Sequence, residues 1–164
     1  MKHLEIIKRK ILSADSLESS LALWRFRGLK IVFTNGCFDL LHLGHIDYLS
    51  KAKDFGDLLF VGVNTDHSVK MLGKGANRPI TEEYSRAIIL ASLHFVDAVM
   101  LFDEETPYEL IKIVQPDVLV KGSDYKAEEI IGYDIVKNKG GEILTIDFLP
   151  GYSTSHIEQK IRKV

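Results

Sequence analysis

Two histidines separated by a leucine and a glycine are the side chains in this sequence best suited to phosphate chemistry. They form the run His42-Leu43-Gly44-His45, after a short apolar segment and at the start of a predicted helix. Gly44 lets the backbone approach a phosphate closely, and the free N–H groups of a first helical turn attract anions. Because phosphoryl transfer depends on charge stabilisation more than on a protein nucleophile, the pattern predicts a triphosphate site with His42 and His45 as catalytic residues.

The histidine pair could instead be two surface side chains or part of a zinc site. The position at a strand-to-helix turn disfavours a pair of surface side chains. A zinc site lacks a suitable cysteine or a third histidine nearby in the sequence, so we expect no metal held by these side chains. Cys37 precedes the pair but has no obvious activating base, and we interpret it as a small residue packed in the loop rather than a nucleophile.

The elements that position these residues follow a βαβ pattern. Strands are predicted at residues 30–35, 57–64, 97–102, 117–121 and 142–148. Helices are predicted at residues 44–55, 81–94, 107–114 and 153–162. This alternation is typical of an α/β fold with a doubly wound, Rossmann-like and mostly parallel five-stranded sheet, covered by helices on both faces. Residues 1–28 form an N-terminal helical lead-in, in which Asp15 or Ser16 can cap a second helix, and 29–164 form the main domain of what we expect to be a single unit.

Ligands of such sheets bind outside the carboxyl ends of the strands. The predicted ends lie at residues 34–38, 64–66 and 121–125, and a turn at 151–155 begins the last helix. All four segments are polar or rich in glycine, which packing alone does not require. The hydroxyls and free N–H groups of 151–155 predict a second anion site facing the first.

Composition limits the partners. Lys and Arg total 21 against 23 Asp and Glu, a formal net charge of −2, so no overall field attracts nucleic acid or an anionic membrane. The single cysteine excludes an internal disulfide, and no apolar run reaches the ~18 residues of a membrane span. The first ten residues carry scattered charge, which argues against a secretory signal. We expect a cytoplasmic protein whose partners are small molecules.

Several segments carry a family resemblance. TNGCFDLLHLGH, HIDYLSKAK and GYSTS together resemble the cytidylyltransferase-like branch of the HxGH nucleotidyltransferase superfamily. NTDHSVK, NRPI, FVDAVMLFDEETP, QPDVLVKGSDY and GGEILTIDFLPGYSTS are similar to the adenylyltransferase domain of bacterial ADP-heptose biosynthesis. The resemblance implies transfer of AMP from ATP to D-glycero-β-D-manno-heptose 1-phosphate, with Mg²⁺ bound to the triphosphate. That domain is often fused behind a sugar kinase, and we expect here its stand-alone form, as a homo-oligomer such as a dimer.

The resemblance also implies roles for individual residues. Lys74 joins the two histidines as a catalytic residue, although which of Lys70 and Lys74 contacts the triphosphate is left open. The nucleotide-binding positions are Asn35, Gly36, Cys37, Phe38, Gly44, Lys121, Gly122, Asp124, Tyr125, Gly151, Ser153, Thr154 and Ser155. The acceptor-binding positions are Asp39, Asp66, Lys70, Arg78 and Arg86.

Structural alternatives remain for several of these residues. Asp39 can cap its loop without touching a ligand, and Asp66 can be the N-cap of the next helix. The lysines can lie in a solvated loop. Arg86, on an apolar helix, can form an ion pair with a neighbouring carboxylate. Residues 121–125 can be a simple turn after a strand.

Two further functions compete with AMP transfer. The first is a cytidylyltransferase for glycerol 3-phosphate or a related polyol phosphate. Such enzymes carry Arg-Thr-Glu where this chain has Phe148-Leu149-Pro150, which weakens that interpretation. The second is a non-catalytic nucleotide-binding module. His42, His45 and both glycine-rich turns are intact, which argues against such a module, because it could lose the histidines freely.

Overall fold

The computed structural model describes residues 2–73 and 78–161, which fold around one sheet. Its strands are β1 Ile31–Gly36, β2 Leu58–Asn64, β3 Ala98–Phe102, β4 Val118–Gly122 and β5 Glu142–Ile146. The helices are α1 His3–Lys8, α2 Ala14–Phe26, α3 Leu43–Lys53, α4 Asp66–Met71, α5 Glu83–Ser92, α6 Tyr108–Val114, α7 Tyr133–Asn138 and α8 Thr154–Ile161. None of these helices combines the length and apolar character that a membrane crossing requires.

The sheet has the order β3-β2-β1-β4-β5, and every neighbouring pair is parallel. The chain winds outward from β1 to β3 and then crosses to the other side of β1 for β4 and β5. This confirms the predicted doubly wound, Rossmann-like sheet. The winding reverses between β1 and β4, where the loops beyond Gly36 and Gly122 diverge and leave a crevice.

The buried side chains of each central strand alternate between the two faces of the sheet. In β1, Val32 belongs to the apolar cluster that contains residues of α3 and α5. Its neighbours Ile31 and Phe33 belong to the cluster on the other face, which contains residues of α2, α6 and α7. Because both faces are covered, the strands are apolar along their whole length, which is why the sequence shows continuous apolar runs.

The helical lead-in packs onto the sheet and pairs with its edge. The amide of Leu12 donates to the carbonyl of Val99 in β3, and the amide of Val99 donates to the carbonyl of Lys10, both at 2.8 Å. The N-cap of α2 is Ser13, whose Oγ accepts from the Ser16 amide in a capping box. The prediction that Asp15 or Ser16 caps α2 is therefore wrong, because both residues lie within the first turn of the helix and Ser13 is its N-cap.

Two short helices, α4 and α7, are not among the helices predicted above, although the N-cap alternative for Asp66 implied a helix beginning near that residue. Helices α4 and α7 have six residues each, too few to show a helical period. Helix α7 follows Gly132, which has a φ of 89° and lies so close to Ile111 that a Cβ would be 2.8 Å from its Cδ1. Only glycine meets both requirements without strain.

Arg86 of α5 ties together three segments at the carboxyl end of the sheet. Its side chain is fully buried. Nε donates to the carbonyl of Thr81 at 2.9 Å, Nη1 to the carbonyl of Cys37 at 2.6 Å, and Nη2 to Oδ1 of Asp66 at 2.8 Å. The ion-pair alternative for Arg86 is therefore present. A direct contact with a substrate stays a prediction, and because the side chain is fully buried it would require a local rearrangement.

Two leucines of α2 test how much the helical lead-in contributes to the stability of the core. Leu17 is 2% exposed and Leu23 is 46% exposed. We expect Leu17→Ala to lower the free energy of unfolding by about 2–5 kcal/mol, because it leaves a cavity against the sheet. Leu23→Ala should change it by less than about 1 kcal/mol. Urea titration measures both, and equal small losses would show that the lead-in folds apart from the sheet.

Arg86→Met should be among the most destabilising single changes in this chain. It leaves two backbone carbonyls and the Asp66 carboxylate, which is 32% exposed, without their charged donor, and each buried acceptor left unpaired costs about 1–3 kcal/mol. The control is Lys112→Met, which breaks an exposed ion pair with Glu109 and should cost at most about 1 kcal/mol. Denaturant titration measures the free energy of unfolding of both variants. A decrease below about 1 kcal/mol for Arg86→Met would contradict the structural role assigned to Arg86.

Candidate active site

A cavity of about 580 Å³ lies at the carboxyl ends of β1 and β4, in the crevice where the winding reverses. Its volume falls within the range of roughly 300–1,000 Å³ typical of small-molecule sites. It is lined by both histidines of the predicted pair. The predicted nucleotide-binding residues that line it are Asn35, Gly36, Cys37, Phe38, Gly44, Lys121, Gly122, Asp124, Tyr125, Ser153 and Thr154.

The histidine rings are stacked against each other at the start of α3. His42 is the N-cap residue, and its carbonyl accepts from the His45 amide at 2.9 Å. The ring centroids are 3.8 Å apart, with an angle of 20° between the planes. Within residues 2–73 and 78–161, Nδ1 of each ring is buried and has no hydrogen-bond partner. Buried polar atoms without partners are rare in folded proteins, so the pair is prepared for a polar ligand.

Burial keeps both imidazoles neutral at pH 7. It lowers the pKa of His42, and together with the nearby His42 charge it lowers the pKa of His45 to about 4. A neutral imidazole donates from one ring nitrogen and accepts at the other. An anion placed against the rings would favour the protonated form and raise these pKa values again. Without a ligand, the two neutral histidines can form hydrogen bonds but carry no charge. They become positively charged only when a phosphate binds beside them.

Phe38 sets the position of His45. Its backbone has a φ of 49°, a left-handed conformation that is uncommon for a bulky residue. The ring lies edge-on to the His45 ring with centroids 5.4 Å apart. A Cβ on Gly36 would be 3.1 Å from this ring, so the glycine leaves room for it. The loop after β1 thus packs around one aromatic side chain that supports the histidine.

Asp39 and Arg78 lie at a second, smaller cavity of about 160 Å³. Oδ1 of Asp39 accepts from the amides of Ile80 and Thr81 at 2.8 and 2.9 Å, so the loop-capping alternative for this residue is present. Its other oxygen, Oδ2, is buried and lies 3.7 Å from Nη1 of Arg78. His45 borders both cavities, so a group bound in the smaller one would lie beside the ligand of the larger one.

The end of β4 closes the other side of the larger cavity. Nζ of Lys121 donates to Oδ1 of Asn35, a bond that bridges β4 and β1 where they diverge. A Cβ on Gly122 would be 2.2 Å from Cζ of Phe148. Only glycine therefore allows this ring to lie against the strand end. The segment at 121–125 does more than turn the chain, because four of its residues line the cavity.

The start of α8 faces the histidines across the cavity. Oγ of Ser153 accepts from the amide of His156 at 3.1 Å and caps the helix. Ser153 and Thr154 line the cavity, whereas Gly151 and Ser155 do not. Gly151 has a φ of 85° and makes the turn that brings the chain into the helix. The predicted nucleotide contacts of Gly151 and Ser155 thus have no geometric support, and the role of Gly151 is in the turn.

Among the described residues, three of the remaining predicted residues line neither cavity, namely Asp66, Lys70 and Arg86. Asp66 is the first residue of α4 and pairs with Arg86. The N-cap of α4 is Thr65, whose Oγ1 accepts from the Ser68 amide at 3.0 Å, so the N-cap alternative for Asp66 is wrong. Lys70 is exposed on α4. Lys74 lies outside the described residues.

Sequence reasoning missed several residues that line the larger cavity. Tyr48 stands three residues after His45 and so on the same face of α3, a spacing that could have identified it. Its hydroxyl donates to the carbonyl of Val120 at 3.1 Å and lies 2.8 Å from Oγ1 of Thr34. Tyr152 lies within the predicted turn at 151–155, and Phe148 lies three residues before it. Residues 105–107 and 129–131 also line the cavity, and only the fold places them there.

Comparison with known proteins agrees with this geometry. The family model described as Cytidylyltransferase-like matches residues 33–160. The chain is 54% identical over 155 residues to the bifunctional protein HldE of Wolinella succinogenes, covering 94% of this chain and 32% of that protein. It is 60% identical over 136 residues to the bifunctional protein HldE of Nitratiruptor sp., covering 83% of this chain and 28% of that protein. The chain thus spans about a third of the length of the curated relatives it matches.

Two solved structures are similar in fold. The lipopolysaccharide core biosynthesis protein of Thermoplasma volcanium has a TM-score of 0.63 and 31% identity, over 74% of this chain and 99% of that one. A pantoate-beta-alanine ligase of Francisella tularensis has a TM-score of 0.60, over 94% of this chain and 78% of that one. Because the two sequences are only 18% identical, this similarity concerns the fold alone. Since the family model covers most of the sheet and the whole histidine motif, the chain belongs to the cytidylyltransferase-like family of nucleotidyltransferases.

Proposed function

We propose that this chain is an adenylyltransferase that transfers AMP from ATP to D-glycero-β-D-manno-heptose 1-phosphate, giving ADP-heptose and pyrophosphate. The observation that carries the reaction type is the stacked histidine pair, with two unsatisfied buried ring nitrogens at the switch point of the sheet. The choice of sugar is supported by the sequence resemblance to the adenylyltransferase domain of ADP-heptose biosynthesis. It is also supported by similarity to proteins named HldE and to a lipopolysaccharide core biosynthesis protein.

The chemistry needs no nucleophile or general base from the protein. An oxygen of the acceptor phosphate, already ionised at pH 7, attacks the α-phosphorus of ATP. The bond from the α-phosphorus to the bridging oxygen breaks, and pyrophosphate leaves with the electron pair. His42 and His45 would donate N–H groups to the oxygens on which negative charge increases, the kind of stabilisation that preorganised donors supply.

The polar groups around the cavity suggest an orientation for ATP. The triphosphate would lie against the histidines and the N-terminus of α3, whose free amides favour anions. The adenosine would extend toward residues 121–125, and the hydroxyls of Ser153 and Thr154 would face the phosphates from α8. Lys121 borders this path from the β4 side and places a positive charge beside it.

Mg²⁺ would enter with the triphosphate as part of the substrate complex. Residues 2–73 and 78–161 contain no group of three or more His, Cys, Asp or Glu side chains able to hold an ion. In nucleotide sites Mg²⁺ is bound mainly by phosphate oxygens and water and needs few protein ligands. When bound, it would neutralise charge on the leaving pyrophosphate.

The proposed activity is tested by pyrophosphate release with ATP, CTP, GTP and UTP, each paired with a small panel of sugar and polyol phosphates. We expect release with ATP and heptose 1-phosphate to exceed that of every other pair, and the product to have the mass of ADP-heptose. A preference for CTP with glycerol 3-phosphate would replace the adenylyl assignment with the cytidylyl alternative. Tight binding of ATP without turnover on any acceptor would favour a binding module.

The histidine pair should act on turnover more than on ATP affinity, because the charge it stabilises grows only as the bond breaks. We expect His42→Ala and His45→Ala each to lower kcat by a factor of about 10² to 10³. ATP dissociation constants should stay within about tenfold. Steady-state kinetics and calorimetry measure the two quantities.

The control for this prediction is His94→Ala. His94 lines neither cavity, so kcat should not change. Melting temperatures of all three variants separate loss of chemistry from loss of fold. Should either His42→Ala or His45→Ala keep more than about a third of the wild-type kcat, that histidine is not the donor assigned here.

A further inference from the structure

Arg78 and Glu158 form an ion pair at the edge of the smaller cavity. Nη2 of Arg78 lies 2.6 Å from Oε1 of Glu158, and the two side chains are 18% and 21% exposed. Glu158 belongs to α8 and stands four residues after Thr154, so both occupy one face of that helix. Thr154 borders both cavities. The contact therefore joins the chain just before α5 to the helix that faces the histidines.

Of the residues that the structure describes, Arg78 and Asp39 are the charged side chains that line the smaller cavity, and Glu158 contacts Nη2 of Arg78 without lining the cavity itself. Arg78 supplies a permanent positive charge, and Thr154 supplies a hydroxyl from the first turn of α8. Asp39 is a second carboxylate beside Arg78, but its Oδ1 is fixed by the amides of Ile80 and Thr81. It can orient the guanidinium without leaving the loop. Glu158 is the displaceable partner, because a helix-surface side chain can change rotamer without disturbing the backbone.

The contacts of Arg78 with Asp39 and Glu158 also leave N–H groups of its guanidinium available to another ligand. A guanidinium binds a phosphate best through two parallel N–H bonds. Here Nη2 contacts one oxygen of Glu158, and Nη1 is 3.7 Å from Asp39, beyond hydrogen-bond distance. The cavity of about 160 Å³ has room for several water-sized groups, and His45 connects it to the larger cavity.

We propose that Glu158 is an internal competitor for the anion site on Arg78. In the empty protein its carboxylate occupies the place of a phosphate oxygen of the acceptor, and the acceptor binds by displacing it. The identity of that acceptor as a sugar phosphate rests on the proposed function. The competition makes binding of a bare phosphate weak, because the phosphate must replace an existing ion pair. The same penalty applies to a sugar phosphate, but the added contacts of its sugar still allow it to bind. Glu158 therefore lowers the occupancy of the site by free inorganic phosphate without changing the ratio of the two affinities.

The first test measures binding of inorganic phosphate alone, by calorimetry in the absence of ATP. Glu158→Gln keeps the shape of the side chain and removes its charge, and we expect it to tighten phosphate binding by about fivefold or more, the scale of one partly exposed ion pair. The matched control is Glu142→Gln at the start of β5, which breaks the exposed pair with Lys30. It should leave the phosphate dissociation constant within about twofold of wild type.

A double-mutant cycle separates competition from a general change in charge. Arg78→Ala should weaken phosphate binding, and Glu158→Gln added to Arg78→Ala should give no further gain. If the gain persists without Arg78, or if Glu158→Gln alone changes nothing, the proposal is overturned. Glu158→Ala repeats the test where the glutamine variant melts early. None of these measurements requires turnover, so they decide the role of Glu158 even if the proposed AMP transfer fails.

Where AMP transfer is observed, kinetics give a second reading of the same contact. Inorganic phosphate should inhibit the Glu158→Gln enzyme at concentrations about fivefold lower than the wild type, in competition with the sugar phosphate. The KM for the sugar phosphate should fall while kcat stays nearly constant, because the change acts on binding. Inhibition by phosphate that is unchanged, or that competes with ATP instead of the acceptor, would contradict the proposal.

Discussion

The candidate site depends on one buried cation, the guanidinium of Arg86. It holds the carbonyl of Cys37, the carbonyl of Thr81 and the carboxylate of Asp66, and so joins the loop after β1, the segment before α5 and the start of α4. A buried charge is tolerated only when it is hydrogen-bonded, and here each of the three nitrogens of the guanidinium meets an acceptor. The next residue after Cys37 is Phe38, whose ring supports His45. The position of the histidine thus depends on a side chain that touches neither cavity.

The crevice likewise consists of apolar residues that fix the strands and polar residues that line the cavity. Apolar side chains on both faces of the sheet fix β1 and β4, and the polar groups begin where the two strands diverge. Lys121 and Asn35 bridge that point, and Gly122 leaves space for the ring of Phe148. The rings of His42 and His45 are already stacked at the wall of the cavity, although a ligand would reach their buried Nδ1 atoms only after a local movement of the rings.

The sheet could be predicted because β1, β2 and β4 are short apolar runs separated by helical lengths, a pattern that is local in sequence. The histidine pair could be predicted because its spacing and its place after a strand are also local. The partners of Arg86 could not, since two of them are backbone carbonyls, one of them 49 residues away. The pairing of Arg78 with Glu158 joins two distant elements, and no periodicity reports it. Helices α4 and α7 are too short to show a period. The features that could not be predicted are therefore mostly tertiary.

The backbone pairing of the lead-in with β3 has a consequence for how this molecule meets its neighbours. A strand at the border of a sheet presents unpaired amides and carbonyls on which another chain can add a strand. Lys10 and Leu12 use both the amide and the carbonyl of Val99, in β3. That position has no hydrogen-bonding capacity left for a foreign strand. The N-terminal segment thus covers this position of the β3 edge, where another chain could otherwise add a strand.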